Sequence, residues 1–262
     1  MDPALRTAAT GMAAQQTRVE VISNNLANVN TTAFKRSRAR FEDLLYQTVQ
    51  GETAGDGVEV GSTEAIQIGR GTRLAAVQRV NLQGPIEQTG RPLDMAIEGD
   101  GYFQIRQPAG DTVYTRDGSF AISDEGMLIT NSGYALEPGI TVPTEAREIT
   151  ISTTGIVTML SDFDGGGVEI GRLELARFAN PAGLRSLGEN LLAETAASGE
   201  PEVGYPQDTG FGRILQGGLE ASNVEIVQEM VDMITAMRAY EINSKAVTSA
   251  EEMTEIANSL VR

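Results

Sequence analysis

Apolar side chains recur at helical spacing in two long stretches, one at each end of the chain. Near the N-terminus Leu5, Ala8, Met12, Val19, Ile22, Leu26 and Val29 follow one another in a 3-4 rhythm that only Gln15 interrupts. Asp2 can cap this helix, and Pro3 suits a first turn, where a missing N–H costs nothing. At the other end Gly217-Gly218 punctuates the chain, and Ser222-Asn223-Val224-Glu225 has the form of a capping box, Ser222 accepting from the Glu225 amide. From there to Arg262 neither Gly nor Pro occurs, which leaves room for a helix of about 55–60 Å. Its apolar series runs Ile226, Met230, Met233, Met237, Tyr240 and Val247, with small Ser244 between, then drifts through Ala246, Ala250, Met253, Ala257 and Leu260. Such a seam requires a partner helix.

The middle of the chain reads differently. Asn24, Asn25, Asn28 and Asn30, with Thr31 and Thr32, mark the end of the first helix, because their side chains compete for backbone hydrogen bonds. Lys35, Arg36, Arg38 and Arg40 form a basic cluster, expected to meet acidic surface on another copy of the chain, and residues 47–63 turn polar and Gly-rich. From Thr72 onward short runs of alternating apolar residues predict strands: Leu93–Ile97, Tyr102–Ile105, Val113–Thr115, Phe120–Ile122, Met127–Thr130, Ile149–Ile151, Ile156–Leu160 and Val168–Phe178. Asp124-Glu125-Gly126, Thr154-Gly155 and Gly99-Asp100-Gly101 are their expected turns. Between Asn180 and Gly218 the pattern weakens, and mixed loop with one or two strands is expected, with a short helix through Leu184–Leu192 as an option.

The expected fold is therefore α+β: long N- and C-terminal helices pair as a coiled-coil-like hairpin, and a mainly antiparallel β domain of sandwich or partly open barrel type is inserted between them. Residues 1–34 with 222–262 form the terminal helical domain, 35–74 a connector with a polar extended loop, and 75–221 the central β-rich domain. The assembly seam comprises Leu5, Met12, Val19, Ile22 and Leu26 with Ile226, Met230, Met233, Met237, Tyr240, Val247, Met253 and Leu260.

Composition narrows the chemistry. A formal net charge of −16 over 262 residues argues against nucleic acid or anionic lipid as a partner. No apolar run is long enough to span a membrane, and the N-terminus lacks the pattern of a cleaved signal peptide. With no Cys and no His, thiolate chemistry, Ser-His-Asp catalysis and most zinc sites are absent. Asp94, Glu98 and Asp100 lie close in sequence, yet solvated strand edges and turn capping account for them better than an acid–base pair. Asp162-Phe163-Asp164-Gly165 opens like a calcium loop but lacks oxygen ligands at its later positions, which leaves at most a weak Ca²⁺ site at Asp162 and Asp164. Gly69-Arg70-Gly71-Thr72 fits no phosphate-binding motif. No catalytic residue, metal ligand or cofactor is expected.

The segment Ile22–Lys35, I-S-N-N-L-A-N-V-N-T-T-A-F-K, resembles the N-terminal signature of the bacterial flagellar rod and hook protein family through Ser23, Asn24, Asn25, Leu26, Asn28, Phe34 and Lys35. Ser222 and Asn223, then Arg238, Tyr240, Glu241, Asn243 and Lys245, are similar to its C-terminal signature. Leu93–Ile105 and Tyr114–Phe120 resemble its central β domain. Within the family, Phe41–Thr48, the polar stretch after it and Arg238–Val247 are most similar to the distal-rod branch. Ala33 stands where the family usually has Gly, so a positive φ there is strained, and Ala236-Met237 replaces a usual polar pair.

The resemblance implies a structural subunit without an active site, which polymerises into a straight, rigid tube that transmits torque and encloses the export channel. It implies as partners further copies of the chain, proximal rod proteins, hook or hook-adjacent subunits and the outer bushing rings. It also implies type III export without a cleaved signal, and a basal-body position across the periplasm. Ends that are disordered in the free monomer and helical in the polymer are expected, since one partner helix returns too little for the entropy of ordering so long a seam. The alternatives are a proximal rod or hook subunit, and a secreted acidic hydrolase running on carboxylates alone.

Overall fold

The computed structural model describes residues 3–50, 66–108, 110–143, 146–161 and 167–260. The chain separates into two compact units. The first combines Met1–Ala27, Ser37–Arg79 and Glu225–Arg262; the second combines Asn28–Arg36 and Val80–Val224. The weak Ca²⁺ site expected at Asp162 and Asp164, and most of the polar loop expected at 47–63, lie outside the described residues.

In the first unit α1 (Pro3–Ala27) packs against α2 (Ile226–Leu260). Asn25 lies opposite Glu229, Arg18 opposite Asp232 and Gly11 opposite Asn243, so the two helices run antiparallel. The helices approach closely at Gly11, where an added Cβ would come within 2.9 Å of Asn243 Nδ2. The covered stripe of α2 contains Glu229, Ala236 and Ala250, fully buried, with Asp232, Met233, Ala239, Asn243 and Val247 half-buried. This stripe is mostly small or polar, because small residues let two backbones approach. It is offset from the apolar series: Ile226, Met230, Met237 and Tyr240 are 43–51% exposed. α2 also begins later than its capping box suggests. Ser222 Oγ accepts from the Val224 N–H at 3.3 Å rather than from Glu225, and the first helical hydrogen bond runs from Glu229 N to Glu225 O at 3.0 Å. The serine thus closes a local turn ahead of the helix.

Strands Ser37–Asp43 and Thr72–Arg79 form an antiparallel ribbon with a bulge between Arg40 and Phe41, and both strands contact α1. At its tip Leu44 N donates to Gly71 O, and Thr72 N donates to Thr10 Oγ1 at 3.3 Å. Beyond the ribbon Gln47–Gln50 pairs with Ile66–Ile68.

The second unit is built on a nine-stranded antiparallel sheet. Its main path runs Arg185–Gly188, Leu191–Ala193, Thr112–Thr115, Tyr102–Arg106, Ala135–Glu137, Leu128–Thr130 and Phe120–Ile122. Leu175–Arg177 branches from Tyr102–Arg106 and carries Glu202–Gly204. A meander of Ala146–Ile151, Ile156–Ser161 and Gly167–Arg172 stands apart as a sheet of its own. Two further pairs join Met95–Glu98 to Arg213–Gln216, and Ile86–Gln88 to Gly218–Glu220. Alternation sends Phe103 and Ile105 into a core with Met95, Ile97, Phe120, Leu128, Leu136, Leu175 and Ile214. From neighbouring strands Tyr102 and Tyr114 meet Phe178 edge-to-face in a second cluster. Gly126 (φ 81°) and Gly155 (φ 80°) close the turns expected of them.

The stretch from Asn180 to Gly218 is more regular than its sequence suggests. It holds a 3-10 turn at Pro181–Gly183 and the strands Arg185–Gly188, Leu191–Ala193, Glu202–Gly204 and Arg213–Gln216, with no α-helix through Leu184–Leu192. Glu189 and Asn190, at φ 52° and 60°, supply the two left-handed positions of a tight hairpin turn. Only the asparagine advertises that conformation; Glu189 does not.

Candidate assembly surface and its anchoring residues

Residues of the two signatures separate into a set that turns inward and a set that faces solvent. In the first unit Asn25 is buried and satisfies the ribbon's first residue, accepting from Ser37 N at 2.9 Å and donating to Ser37 O at 2.9 Å. Its Nδ2 also donates to Glu229 Oε2 at 3.1 Å. One amide therefore ties α1, α2 and the ribbon, and an aliphatic side chain would strand all three groups.

In the second unit the loop after α1 is held by Glu220. Its carboxylate is fully buried and accepts from Lys35 Nζ, from Arg116 Nη1 at 3.2 Å and from Gly84 N at 2.9 Å. The Glu220 carbonyl accepts from Ala33 N at 2.7 Å. Lys35 also donates to Leu82 O, and Arg116 to Gly99 O at 2.6 Å, so two cations and one anion share a closed hydrogen-bond network. Burial pushes the Lys35 ammonium below its ordinary 10.5; the Glu220 bond and charge oppose this, and the Arg116 charge adds to it. Lys35 is thus engaged within its own chain, which corrects the expectation that the basic cluster as a whole meets another copy. Asn223 does for this unit what Asn25 does for the first: Oδ1 accepts from Arg36 N at 2.7 Å, and Nδ2 donates to Val80 O and Leu82 O, both at 2.9 Å. Between these clamps Ala33 sits at φ 57°, the left-handed conformation in which its methyl is strained. Asn28 accepts from Thr31 Oγ1, Phe34 O accepts from Asn223 N, and Ser222 is buried.

Ser23, Asn24, Arg238, Glu241 and Lys245 are exposed, as are Tyr240 and Met253. Of the N-terminal seam, Ile22 is buried, while Leu5, Met12, Val19 and Leu26 are half-buried. Val227, Val231, Ile234, Ile242 and Ile256 extend the uncovered apolar surface of α2, each at least 50% exposed. Their positions between the expected 3-4 steps hid them from a seam-based reading. The signal was the length of a run with apolar residues on several sides. Leu260 closes α2.

The candidate acid–base residues do not converge. Asp94 is buried rather than at a solvated edge: Thr89 Oγ1 donates to its Oδ2 at 2.6 Å, and Arg91 lies 3.9 Å away. Glu98 is held below the usual carboxylate range by its bond from Arg213 at 2.6 Å, and Asp100 sits exposed in a turn. A shallow groove of about 660 Å³ lies beside Glu98, Asp100, Phe211 and Arg213, with Glu98 and Arg213 paired to each other. Among the described residues no helix is long and apolar enough to cross a membrane.

A long helix left apolar on its uncovered sides, attached to an inserted β domain, is the architecture of a structural chain that builds by association. Three family models match in chain order. These are the flagella basal body rod protein model over residues 5–35, the flagellar hook protein FlgE/F/G D1 domain over 96–159, and the flagellar basal body rod FlgEFG protein C-terminal model over 215–260. The chain is 47% identical to the flagellar basal-body rod protein FlgG of Caulobacter vibrioides, covering 98% of each chain. It is 49% identical to the protein of the same name from Borreliella burgdorferi, covering 99% of this chain and 98% of that one. A Bacillus subtilis protein named flagellar hook-basal body complex protein FlhP is 31% identical over 97% of both. The chain belongs to the flagellar rod and hook protein family, whose members are structural proteins rather than enzymes.

Proposed function

We propose that this chain is the distal-rod subunit of the bacterial flagellar basal body, polymerising into a straight, stiff tube that transmits torque from motor to hook and surrounds the export channel. Similarity over nearly the whole length to proteins named as basal-body rod proteins supports this assignment. The observation that carries the assembly reading is the uncovered apolar surface of α2, with Met230 51% and Met237 50% exposed. A helix apolar on several sides is stable only when it is buried on several sides, and α1 covers one.

On this reading the terminal layer, residues 1–34 and 222–262, pairs as a coiled-coil-like hairpin and lines the inner wall. Residues 35–74 connect it to an outer β layer of 75–221. The seam residues that α1 leaves exposed, Ile226, Met230, Met237, Tyr240 and Met253, contact neighbouring copies. Proximal rod proteins lie below, hook subunits above and the bushing rings around, in a shaft that crosses the periplasm after export without a cleaved signal. Electron microscopy of the purified chain at rising concentration tests this. Straight hollow tubes are the expected result, bendable or supercoiled tubes would transfer the chain to the hook branch, and a chain that stays monomeric in every condition would sink the reading.

A further inference from the structure

The helices of the first unit differ in length: α1 spans 25 residues and α2 spans 35. Continuing the antiparallel register set by Asn25 with Glu229 and Gly11 with Asn243, Pro3 falls opposite Glu251. Burial agrees, since Ala250 is buried and every residue from Glu251 to Ile256 is exposed. The last turns of α2 therefore extend beyond α1. They carry Glu251, Glu252 and Glu255 beside exposed Met253 and Ile256, with no basic residue in the last turn. Three carboxylates with no basic residue in the last turn give this end a negative charge suited to receiving cations from outside the chain.

The ribbon carries the complement. Alternation along Ser37–Asp43 puts Arg38 and Arg40 on the exposed face, opposite the neutral Gln78 and Ala76. Neither arginine has an ion-pair partner among the described residues, whereas Arg73, at the other end of the ribbon, is paired to Glu42 at 3.1 Å. In a chain with net charge −16, a free basic face is an exception that favours an acidic partner. We propose that the Arg38–Arg40 face of the ribbon in one copy docks on the projecting acidic end of α2 in another copy. The inference rests on the assembly reading above. It assigns a polar, orienting contact to a lattice whose remaining contacts are apolar, because charge complementarity fixes register more than it adds affinity.

The test is a charge swap, read by sedimentation of polymer at low ionic strength. R38E/R40E alone and E251K/E252K/E255K alone should each raise the concentration needed for assembly roughly tenfold, since attraction becomes repulsion at exposed pairs. The combined variant, and an equimolar mixture of the two single-sided variants, should assemble within about twofold of the unaltered chain. Recovery in the mixture requires that the contact lie between copies. All five positions are exposed, so circular dichroism of the monomers should be unchanged. Single-sided variants that assemble normally, or a mixture that fails to recover, would overturn this contact while leaving the assembly reading intact. If the unaltered chain forms no polymer, the assembly reading itself fails.

Discussion

Replacing Glu220 by Gln keeps the volume of the side chain and removes its charge. The amide oxygen can still accept from Lys35 and Gly84, but the new NH₂ group faces Arg116, donor against donor, where the carboxylate now accepts at 3.2 Å. Two cations would then be left with no anion in a network whose centre is fully buried. At an effective dielectric constant of about 20, a charge pair about 3.2 Å apart is worth roughly 5 kcal/mol before desolvation. Removing one partner of a buried pair typically costs about 3–5 kcal/mol. For a unit of this size about 1 kcal/mol moves the melting temperature by 2–4 °C, so the second unit of Glu220→Gln should melt about 6–20 °C lower. The protein has no Trp, so near-ultraviolet circular dichroism of Tyr102, Tyr114 and Tyr134 reports that transition.

The pH dependence adds a sharper check. The folded-state pKa of Lys35 already lies below 10.5, so the unfolded chain binds that proton more tightly, and stability from this group rises with pH up to 10.5. Without Glu220, burial and the Arg116 charge both push Lys35 lower still. The deficit of the variant should therefore be largest near neutral pH and shrink as pH climbs toward 10.5. The double variant Lys35→Met/Glu220→Leu removes one cation together with the anion but leaves Arg116 and the Gly84 N–H without their acceptor, so it should recover only part of the loss. A melting temperature within 2 °C of the parent, or a deficit that grows with pH, would refute the role given to this carboxylate.

Three other outcomes follow from individual residues. Ala33→Gly should stabilise the second unit by about 0.5–1 kcal/mol, because relief of about 1–2 kcal/mol of left-handed strain exceeds the added chain entropy; denaturant titration decides, and a loss of stability would mean the methyl packs better than it strains. Burial and the Glu194 carboxylate raise the Tyr114 phenol to about 12, so its contribution is fully present below pH 10.0 and is lost as pH rises toward 12. In an absorbance titration of the six tyrosines the last phenol should titrate there and vanish in Tyr114→Phe, and an unchanged curve would reassign it. Met237→Asp introduces a charge on the exposed side of α2, so the monomer should keep its circular dichroism while polymer disappears from sedimentation; normal polymer would remove this face from the interface.

Much of the architecture is legible from local pattern. Leu93–Ile105 and Phe120–Thr130 are short apolar runs bounded by Gly and Asp, which read as strands, and Met95–Ile97 and Tyr102–Ile105 are buried on both faces. Arg185–Ala193 escapes such a reading because Glu189 and Asn190 take a left-handed turn that tertiary pairing imposes, Leu191 and Leu192 pairing with Thr115 and Tyr114. Asp94 escapes it too. No local rule shows that Thr89 and Arg91 fold back to accompany a buried carboxylate. Ala33 is the opposite case: its departure from the family's usual glycine points directly to the strained φ of 57°.

For the terminal helices, sequence alone determined that they exist, how long each can run and that apolar surface on them needs burial. Periodicity is a property of one helix, and it survives without knowledge of what lies beside it. Which stripe of α2 meets α1 was decided only in three dimensions. There a close approach at Gly11 favours small Ala236, Ala239 and Ala250 in the covered stripe, with Met233 and Val247 half-buried beside them, while Met230, Met237 and Ile234 are left for other contacts. The anchoring of Lys35 by Glu220 was likewise invisible along the chain, since the two residues lie far apart in sequence and a buried charge is stable only where distant elements deliver its partners together.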